Sequence, residues 1–313
     1  MAKPRNDLLD RLVYCAARLV SMFMYCWPVQ ANLRLAQWLG NLVYRLDRRH
    51  REIAQDNLRR AFPRESAQRI EQLARRSMQH LCMLGIEVLF TTRLVRLETY
   101  ARYVRLENIK PVLELLLRSQ HGLIMLTGHW GNWEILGYVL ATLGFEVNVV
   151  ARPLDNPYLD QWLLGVRQKK GQKMIAKKGA TSEVTEALDQ GAAVAFIADQ
   201  DAGRKGLFVD FFGRPASTYK SIGLLAMQYQ VPIVVGYAQR LDGEFHFAAG
   251  VQDVILPEQW APQADPLRYI TQRYTRAIED IVRRDPAQYL WAHRRWKSQP
   301  APRSSGAAAA SGL

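Results

Sequence analysis

The chain has 313 residues, enough for one large α/β domain or two small domains with a substantial core. Its 42 Lys and Arg residues outnumber 29 Asp and Glu residues, so the formal net charge is +13. This excess predicts an anionic partner: a nucleic acid, an anionic lipid or an acidic protein. The three cysteines are scattered without a CxxC pair, which excludes a disulfide framework and a cysteine zinc site and indicates a reducing compartment.

The N-terminal region is both apolar and basic. Residues 12–29 are mostly apolar, but Arg18 interrupts them and leaves an uncharged run of 11 residues, 19–29. A membrane-spanning helix needs about 20 apolar residues. This run is therefore too short by itself, and the segment crosses a bilayer only if it includes Arg18, with the arginine side chain reaching the membrane interface with its charge. Residues 33–63 mix apolar and aromatic residues with arginines, as in helices that lie on anionic membranes. We expect residues 1–60 to form a membrane anchor with basic amphipathic helices; amphipathic helices packed on the core are the alternative.

The rest of the chain changes from helix to an alternation of strands and helices. Residues 65–117 show helical spacing of apolar residues. Beyond them, strands are predicted at 122–127, 146–151, 192–198 and 232–239, and helices at 131–143, 157–170, 181–190, 217–230 and 265–284. The alternation predicts an α/β domain over residues 61–298, in which helices cover a sheet. Residues 299–313 are low in complexity and are expected to be disordered.

A histidine and a glutamate stand where the first predicted strand of this alternation gives way to a helix. His129 follows the strand, at the carboxyl end where open α/β sheets bind ligands, and Glu134 lies in the first helical turn. From that turn the carboxylate can accept a hydrogen bond from the imidazole, which fixes the tautomer and leaves the second ring nitrogen as a base. Gly128 and Gly131 permit a close approach of substrate or backbone. The alternative is a core histidine capped by a helix glutamate.

Two further strand ends carry polar side chains. Arg152 follows the next predicted strand, and an arginine there can bind a phosphate or a carboxylate with two hydrogen bonds. Asp199 follows a later strand and precedes the glycine-flanked pair Arg204 and Lys205. We expect these groups to border the same pocket as His129. For the second group, a solvated loop is the alternative.

Motifs of other enzyme and binding classes are missing or weak. The sequence has no GxGxxG, no GxxxxGK[ST] and no GxSxG, so we expect no nucleotide cofactor and no α/β-hydrolase site. Ser217 to Lys220 match SxxK, but chance explains the match better because SDN and KTG are lacking. The other histidines show no metal-ligand spacing, so no metal site is predicted. No nucleic-acid-reading module is recognisable, which argues against a nucleic-acid partner.

Several segments resemble one known family in consistent order. The stretch HWGNWE resembles the HxxxxD/E motif of the lysophospholipid acyltransferase superfamily. Five other segments resemble its lipid A late-acyltransferase branch, the lauroyl/myristoyl transferases: NLRRAFP, ARPLDNPYLD, ADQDAGRKGLFVDFFGRPAST, VPIVVGYAQR and PAQYLWAHRRWK. One HxxxxE match alone is weak, whereas the ordered set makes the resemblance specific. Together the segments cover roughly residues 35–297.

The resemblance implies a fold, a reaction and a location. The fold is glycerolipid acyltransferase-like: α/β, with a mixed sheet flanked by helices and an N-terminal membrane-associated helical segment. The reaction transfers a fatty acyl group from an acyl thioester, on acyl carrier protein or CoA, to a hydroxyl of a lipid A precursor. No cofactor, metal or covalent enzyme intermediate takes part. The location is the cytoplasmic face of the bacterial inner membrane, which supplies an anionic lipid surface.

The resemblance also implies residue roles. His129 is the general base, and Glu134 orients and stabilises its imidazolium. Arg152 contacts the substrate head group, while Asp199 and the pair Arg204 and Lys205 are further candidates for substrate binding. The segment DQDAGRKG replaces the EGTR-like motif of the glycerolipid branches, which makes a simple glycerol phosphate a less suitable acceptor.

Two other functions remain open at this point. One is the same chemistry on another lipid, such as a lysophospholipid, a phosphoinositol mannoside or an ornithine lipid. The other is a non-catalytic membrane protein that keeps the fold and binds lipids with its basic face. The intact HxxxxE motif argues against the second, because a binding protein gains nothing from a base and its carboxylate.

Overall fold

The computed structural model describes residues 6–118, 122–168, 171–177 and 179–300. Within them the chain begins with four helices: α1 (Asp7–Tyr25), α2 (Val29–Leu46), α3 (Arg48–Ala61) and α4 (Ala67–Leu94). Polar side chains start three of these helices, because Asn6, Asp47 and Ser66 each accept a hydrogen bond from a backbone N–H of the first turn.

Strands and helices then alternate. In chain order the elements are α5 (Tyr100–Tyr103), β1 (Val104–Glu107), α6 (Lys110–Arg118), β2 (Leu123–Thr127), α7 (Trp133–Thr142), β3 (Val147–Ala151), α8 (Pro157–Gln168), β4 (Gln172–Ala176), α9 (Ala180–Asp189) and β5 (Ala193–Ile197). They are followed by β6 (Leu207–Phe211), β7 (Arg214–Thr218), α10 (Lys220–Tyr229), β8 (Ile233–Arg240), β9 (Phe247–Ile255), α11 (Pro257–Trp260), α12 (Pro266–Arg284) and a 3-10 turn (Pro286–Gln288).

The described strands form a mixed seven-stranded sheet in the order β1-β9-β8-β2-β5-β3-β4. Only β8 and β9 pair antiparallel; every other neighbouring pair in this sheet is parallel. Strands β6 and β7 form a separate antiparallel hairpin. The predicted α/β architecture, a mixed sheet flanked by helices, is therefore confirmed. The parallel strands β8, β2, β5, β3 and β4 all end at one edge of the sheet, which is the edge that carries the site.

Most elements predicted in the alternating part are present, and the differences lie where side-chain packing overrides the local pattern. Strands are found in each predicted segment from β2 to β8. The helix predicted over 217–230 starts only at Lys220, because Ser217 and Thr218 belong to β7 and are fully buried. The segment 65–117, predicted to be helical, contains the edge strand β1, and its partner β9 was not predicted either.

The N-terminal helices are attached to the α/β part by a shared core. Tyr44, Ala54 and Leu58 belong to the same buried cluster as the strand residues Ile124 and Val194. The predicted division at residue 60 falls at the end of α3, and buried side chains are continuous across it. Residues 301–313 of the predicted tail lie outside the described residues.

Helix α1 leaves much of its apolar surface uncovered. Large apolar residues that are more than half exposed include Leu8, Leu12, Leu19, Phe23 and, just after the helix, Trp27. Even so, no helix in the described part of the chain is long and apolar enough to cross a membrane. The membrane anchor predicted for residues 1–60 thus remains a proposal, which is developed below.

Candidate active site

His129 and Asp199 meet at the carboxyl edge of the parallel strands. Strands β2 and β5 are neighbours in which Thr127 pairs with Ile197. Each of the two polar residues comes two positions after its strand's last paired residue, so the register itself brings them together. The His129 Nδ1 lies 2.7 Å from Asp199 Oδ1, and the His129 backbone N–H donates to Asp199 Oδ2 over 2.8 Å. A carboxylate in this place accepts from Nδ1–H and leaves Nε2 as the basic nitrogen.

The carboxylate that contacts His129 belongs to Asp199, whereas the HxxxxE spacing predicts Glu134. The expectation that Glu134 would orient His129 is corrected, because both Glu134 oxygens bind Arg167 of α8, at 2.5 Å to Nη2 and 2.9 Å to Nε. Helix α7 begins at Trp133 behind the cap Asn132. The Trp133 ring stands edge-on to the imidazole with centroids 5.0 Å apart, so the neighbour of Glu134 packs on His129 instead.

Burial and neighbouring groups act in opposite directions on the Asp199 carboxylate. Burial raises its pKa, but the charges of His129 and His293 and the hydrogen bonds from His129 lower it, and the resulting pKa lies below the usual value. Asp199 is therefore ionised at neutral pH. Because it is only 2% exposed, it is out of reach of a bound substrate. The expectation that Asp199 binds substrate directly is corrected: it holds the imidazole.

An apolar cavity of about 310 Å³ opens beside this pair. It lies between one face of the sheet and helices α6 and α7, and its lining includes Met125, Val147, Val149, Ala195, Val234 and Val251. His129, Glu134 and Arg167 also line it. A chain of methylenes fits such a lining, since burying each CH₂ group gains about 0.8 kcal/mol.

The segment after α12 holds the His129 loop from the side opposite the strands. Trp130 and Tyr289 form an antiparallel β-bridge, and the Leu290 N–H donates to the His129 carbonyl oxygen over 2.9 Å. The Trp130 indole N–H also donates to the Asp285 carbonyl oxygen. Residues distant in sequence therefore fix the backbone of the candidate base.

A second histidine, His293, lies behind the pair. Its ring centroid is 6.1 Å from that of His129, and its Nε2 is 3.3 Å from the Asp199 carbonyl oxygen. Burial lowers the pKa of His293, although the Asp199 charge opposes that effect. Sequence reasoning assigned no role to His293, even though it lies in the segment PAQYLWAHRRWK that carried part of the resemblance.

The predicted substrate-binding cations are not all at the cavity. Arg152 lines it, with a side chain that is 76% exposed and an ion pair to Asp155 at 2.8 Å. Arg204 and Lys205 are exposed on the turn before β6 and are not part of the lining, so the structure does not bring them to the mouth.

Further polar groups at the cavity escaped sequence reasoning. Arg167 and Lys177 both line it. Arg167 lies at the end of a helix and Lys177 directly after β4, which had not been predicted, so neither followed a recognised strand end. Gln200, which directly follows Asp199 in the chain, also lines the cavity.

The described residues place the candidate base His129 at the mouth of an apolar cavity that can hold a hydrocarbon chain and is bordered by cations. Among the described residues, no group of three or more His, Cys, Asp or Glu side chains could hold a metal ion. His129 can take a proton from a hydroxyl, Asp199 can stabilise the resulting imidazolium, and the cations can bind anionic parts of an amphiphilic substrate.

One protein-family model matches the chain over residues 3–298, and the family is described as bacterial lipid A biosynthesis acyltransferase. The chain belongs to this family. The resemblance found in short sequence segments is confirmed, and so is the prediction of an acyltransferase of lipid A biosynthesis.

The acyltransferase is also similar to individual curated proteins along most of their length. It is 25% identical to the lipid A biosynthesis lauroyltransferase of Escherichia coli (strain K12), over 87% of this chain and 87% of that protein. It is 27% identical to the lipid A biosynthesis palmitoleoyltransferase of the same organism, over 85% of each.

A solved structure gives a weaker match. The 1-acyl-sn-glycerophosphate acyltransferase PlsC from Thermotoga maritima aligns with a TM-score of 0.36 and 14% identity, over 80% of this chain and 94% of that one. A similarity of this size does not establish a shared fold.

Proposed function

We propose that this acyltransferase moves a fatty acyl group from a thioester, on acyl carrier protein or CoA, to a hydroxyl of a lipid A precursor. The observation that carries the proposal is the buried His129–Asp199 pair at the mouth of an apolar cavity of about 310 Å³. The cavity suits the acyl chain, and the pair suits removal of a proton from the acceptor hydroxyl.

The reaction needs no group beyond the two substrates and these side chains. His129 Nε2 takes the proton of the acceptor hydroxyl while the oxygen attacks the thioester carbonyl carbon. The tetrahedral intermediate then collapses, the C–S bond breaks, and the imidazolium returns its proton to the leaving thiolate. Asp199 keeps Nδ1 protonated and stabilises the imidazolium during the step. General-base assistance of this kind typically contributes about 10²–10⁴-fold to a rate.

The second ion pair suits substrate binding. Glu134 acts through Arg167: it holds the guanidinium at the cavity mouth, where a phosphate or carboxylate of the acceptor can compete for it. Arg152 adds an exposed cation at the same mouth. Arg204 and Lys205 lie outside the lining and can contact only parts of a substrate that extend beyond the cavity.

The substrate assignment can be tested in cells and with purified protein. We would express the acyltransferase in a bacterial host that lacks its late acyltransferases and determine the lipid A by mass spectrometry, with H129A as the inactive control. The expected result is lipid A with one additional acyl chain in the wild-type culture only. Unchanged lipid A, together with acylation of a lysophospholipid or an ornithine lipid by the purified enzyme, would overturn the proposed acceptor.

The N-terminal helices support a place on an anionic membrane surface, the cytoplasmic face of the inner membrane. Helix α1 exposes Leu12, Leu19 and Phe23, and the exposed Arg18 adds positive charge on the same helix, whereas Arg11 is paired with Asp7. Apolar side chains that sink into the headgroup region and cations that meet anionic lipids together produce interfacial binding.

Membrane binding can be measured by flotation with vesicles of anionic lipid. The double variant L19N/F23N removes apolar contact without touching the core and should shift the protein out of the vesicle fraction. Matched control L224N changes a leucine that is 50% exposed on α10 and should float like wild type. Because salt screens charge but not apolar burial, high salt alone should release little protein; full release by salt would contradict the apolar contribution.

A further inference from the structure

A buried charged cluster lies behind the His129 loop, on the side away from the cavity. Glu87 of α4 and Arg240 at the end of β8 form an ion pair, in which Arg240 Nε donates to Glu87 Oε1. The two side chains are 0% and 4% exposed, and neither belongs to the cavity lining. The cluster therefore touches no substrate.

His80, also on α4, connects the ion pair to the loop. The Arg240 Nη1 lies 2.7 Å from His80 Nδ1, and because a guanidinium only donates, Nδ1 accepts and the ring proton is on Nε2. That Nε2–H donates to the Gly131 carbonyl oxygen over 3.1 Å. Burial and the Arg240 charge lower the pKa of His80 well below its usual value, which agrees with a neutral ring.

Asn132 forms the other connection. Its Nδ2 donates to Glu87 Oε2 over 2.8 Å, and its Oδ1 accepts from the Ile135 N–H over 2.9 Å and so caps α7. Its backbone N–H donates to the Ala238 carbonyl oxygen over 2.7 Å. One side chain thus ties the start of the helix that carries Glu134 to the buried carboxylate.

Gly131 completes the attachment. Its φ is +60°, and a Cβ there would collide with the Ala238 carbonyl oxygen, so the loop runs directly against β8. Its N–H donates to the Gln288 carbonyl oxygen over 3.1 Å, while its carbonyl oxygen accepts from His80. Both backbone polar groups of this residue are therefore engaged by elements outside the loop.

Stability alone is a poor reason for such a cluster. A buried ion pair recovers little more than the desolvation it costs, and replacement by apolar residues is often neutral or stabilising. Burial holds the pKa of Glu87 above its usual value, although Arg240 and the hydrogen bond from Asn132 act in the opposite direction. The directional hydrogen bonds, in contrast, determine where the Gly131–Asn132 peptide lies.

We propose that the Glu87–Arg240–His80 cluster is a positioning device for catalysis, which fixes the Gly131–Asn132 peptide and so sets the placement of His129 relative to the Glu134–Arg167 pair. The proposal rests on the function proposed above for these two pairs. Misplacing a reacting group by about 1 Å can cost about 10²-fold in rate, so the cluster acts on kcat without contacting either substrate.

The decisive experiment exchanges donor and acceptor between Glu87 and Asn132. N132D keeps the helix cap but sets two carboxylates against each other, and E87Q removes the charge that pairs with Arg240. The double variant E87Q/N132D restores a donor facing an acceptor and returns the negative charge to the cluster. Full-length enzyme would be assayed with acyl-CoA or acyl-acyl carrier protein as donor and a lipid A precursor as acceptor, well below each unfolding midpoint.

We expect each single variant to lose about 10²-fold in kcat, with KM for both substrates within a few-fold of wild type, and the double variant to regain most of the loss. I255A serves as the control: it opens a fully buried site at the carboxyl end of β9, where Ile255 pairs with Ile233 at the start of β8. This variant should lower the unfolding midpoint and leave kcat near wild type. Single variants no slower than I255A, or a double variant that is as slow as the singles, would overturn the proposal.

Variants of His80 provide a second test if the exchange variants do not fold. H80F fills the buried site with an apolar ring and removes the hydrogen bond to Gly131. H80Q retains a hydrogen-bond donor and an acceptor. We expect kcat to decrease from wild type to H80Q and further to H80F. We expect the unfolding midpoints of the three proteins not to follow this order. Wild-type kcat in H80F would overturn the proposal. Failure of the proposed function itself would appear differently, as unchanged transfer by H129A.

Discussion

The His129–Asp199 and Glu134–Arg167 pairs face the same cavity but differ in their access to water. The Asp199 side chain is 1% exposed and His129 14%, whereas Glu134 and Arg167 are 19% and 18% exposed. The first pair changes its charge when the imidazole gains a proton, and its carboxylate is almost completely shielded from water. The second pair keeps both charges, and its arginine can exchange one anion for another. Under the function proposed above, this difference suits the buried pair to proton transfer and the more exposed pair to substrate recognition.

The largest effect on the rate is expected when the base of the buried pair is removed. H129A should lower kcat by about 10²–10⁴-fold and leave the unfolding midpoint close to that of wild type, because His129 lies at the edge of the sheet. Transfer assays and thermal unfolding of the same preparations would measure both. H246A, which removes an exposed histidine outside the cavity, is the matched control and should behave as wild type. A wild-type rate in H129A would remove the basis of the mechanism.

A loss of comparable size is expected when the carboxylate of the buried pair loses its charge. D199N keeps the shape of the side chain but offers an amide to Nδ1, which favours the wrong tautomer and leaves the imidazolium without a counter-charge; the corresponding change in a serine protease lowers kcat by about 10⁴-fold. We expect a loss of about 10²–10⁴-fold in kcat with KM little changed. Activity equal to wild type would contradict the assignment of Asp199.

The same variant also tests the electrostatics of the pair through stability. The folded pKa of Asp199 lies below its unfolded value of about 3.9. The ionised carboxylate therefore stabilises the fold at pH values above about 4, and this stabilisation is lost as the pH falls through the folded pKa. D199N should consequently show a flatter dependence of the unfolding midpoint on pH below pH 4 than wild type does. Parallel curves for the two proteins would contradict the lowered pKa.

The more exposed pair should respond with a change in substrate affinity. E134Q weakens the hold on Arg167, and R167K replaces a two-pronged contact with a point charge. We expect both variants to raise the KM for the lipid acceptor by about tenfold, which corresponds to about 1.4 kcal/mol of binding, with a smaller change in kcat. Saturation curves for donor and acceptor would separate the effects. A fall in kcat as large as that of D199N would show that Glu134 takes part in the proton transfer itself.

The smallest effects are expected from the cations outside these pairs. R152A should raise the acceptor KM a few-fold, and R152K less, because the Arg152 side chain is exposed at the cavity mouth and pairs only with Asp155 in the described contacts. The double variant R204A/K205A removes two cations that do not line the cavity and should leave both saturation curves unchanged. An acceptor KM that rises more in R204A/K205A than in R152A would show that the acceptor extends over the turn before β6.

The fold was largely predictable because its strands are short, apolar and bounded by turn residues. The strands β2, β3, β5 and β8 follow from such runs. The edge strands β1 and β4, the neighbouring strand β9 and the hairpin β6–β7 were not predicted. Their sequences are more polar or contain Gly and Pro, and their partners lie far along the chain, as when β1 pairs with β9. Local pattern carries no information about such pairing.

The candidate site shows where spacing along the chain is informative and where it misleads. The position of His129 at a strand end was correct, because local pattern determines where a strand gives way to a helix. Its partner was not, because the choice between Glu134 and Asp199 depends on which strands are neighbours. Once β2 and β5 are adjacent, the pairing of Thr127 with Ile197 places the two residues together. The contact between Glu134 and Arg167 depends on how α8 packs, and no pattern in the sequence predicts that packing.

The bridge between Trp130 and Tyr289 has a consequence for the order of synthesis. The backbone of the base is fixed by residues about 160 positions later in the chain, and a ribosome adds roughly 5–20 residues per second. For many seconds the nascent protein therefore contains His129 without the segment after α12 that orients its backbone. The site around His129 can therefore be completed only after the segment that follows α12 has been synthesised.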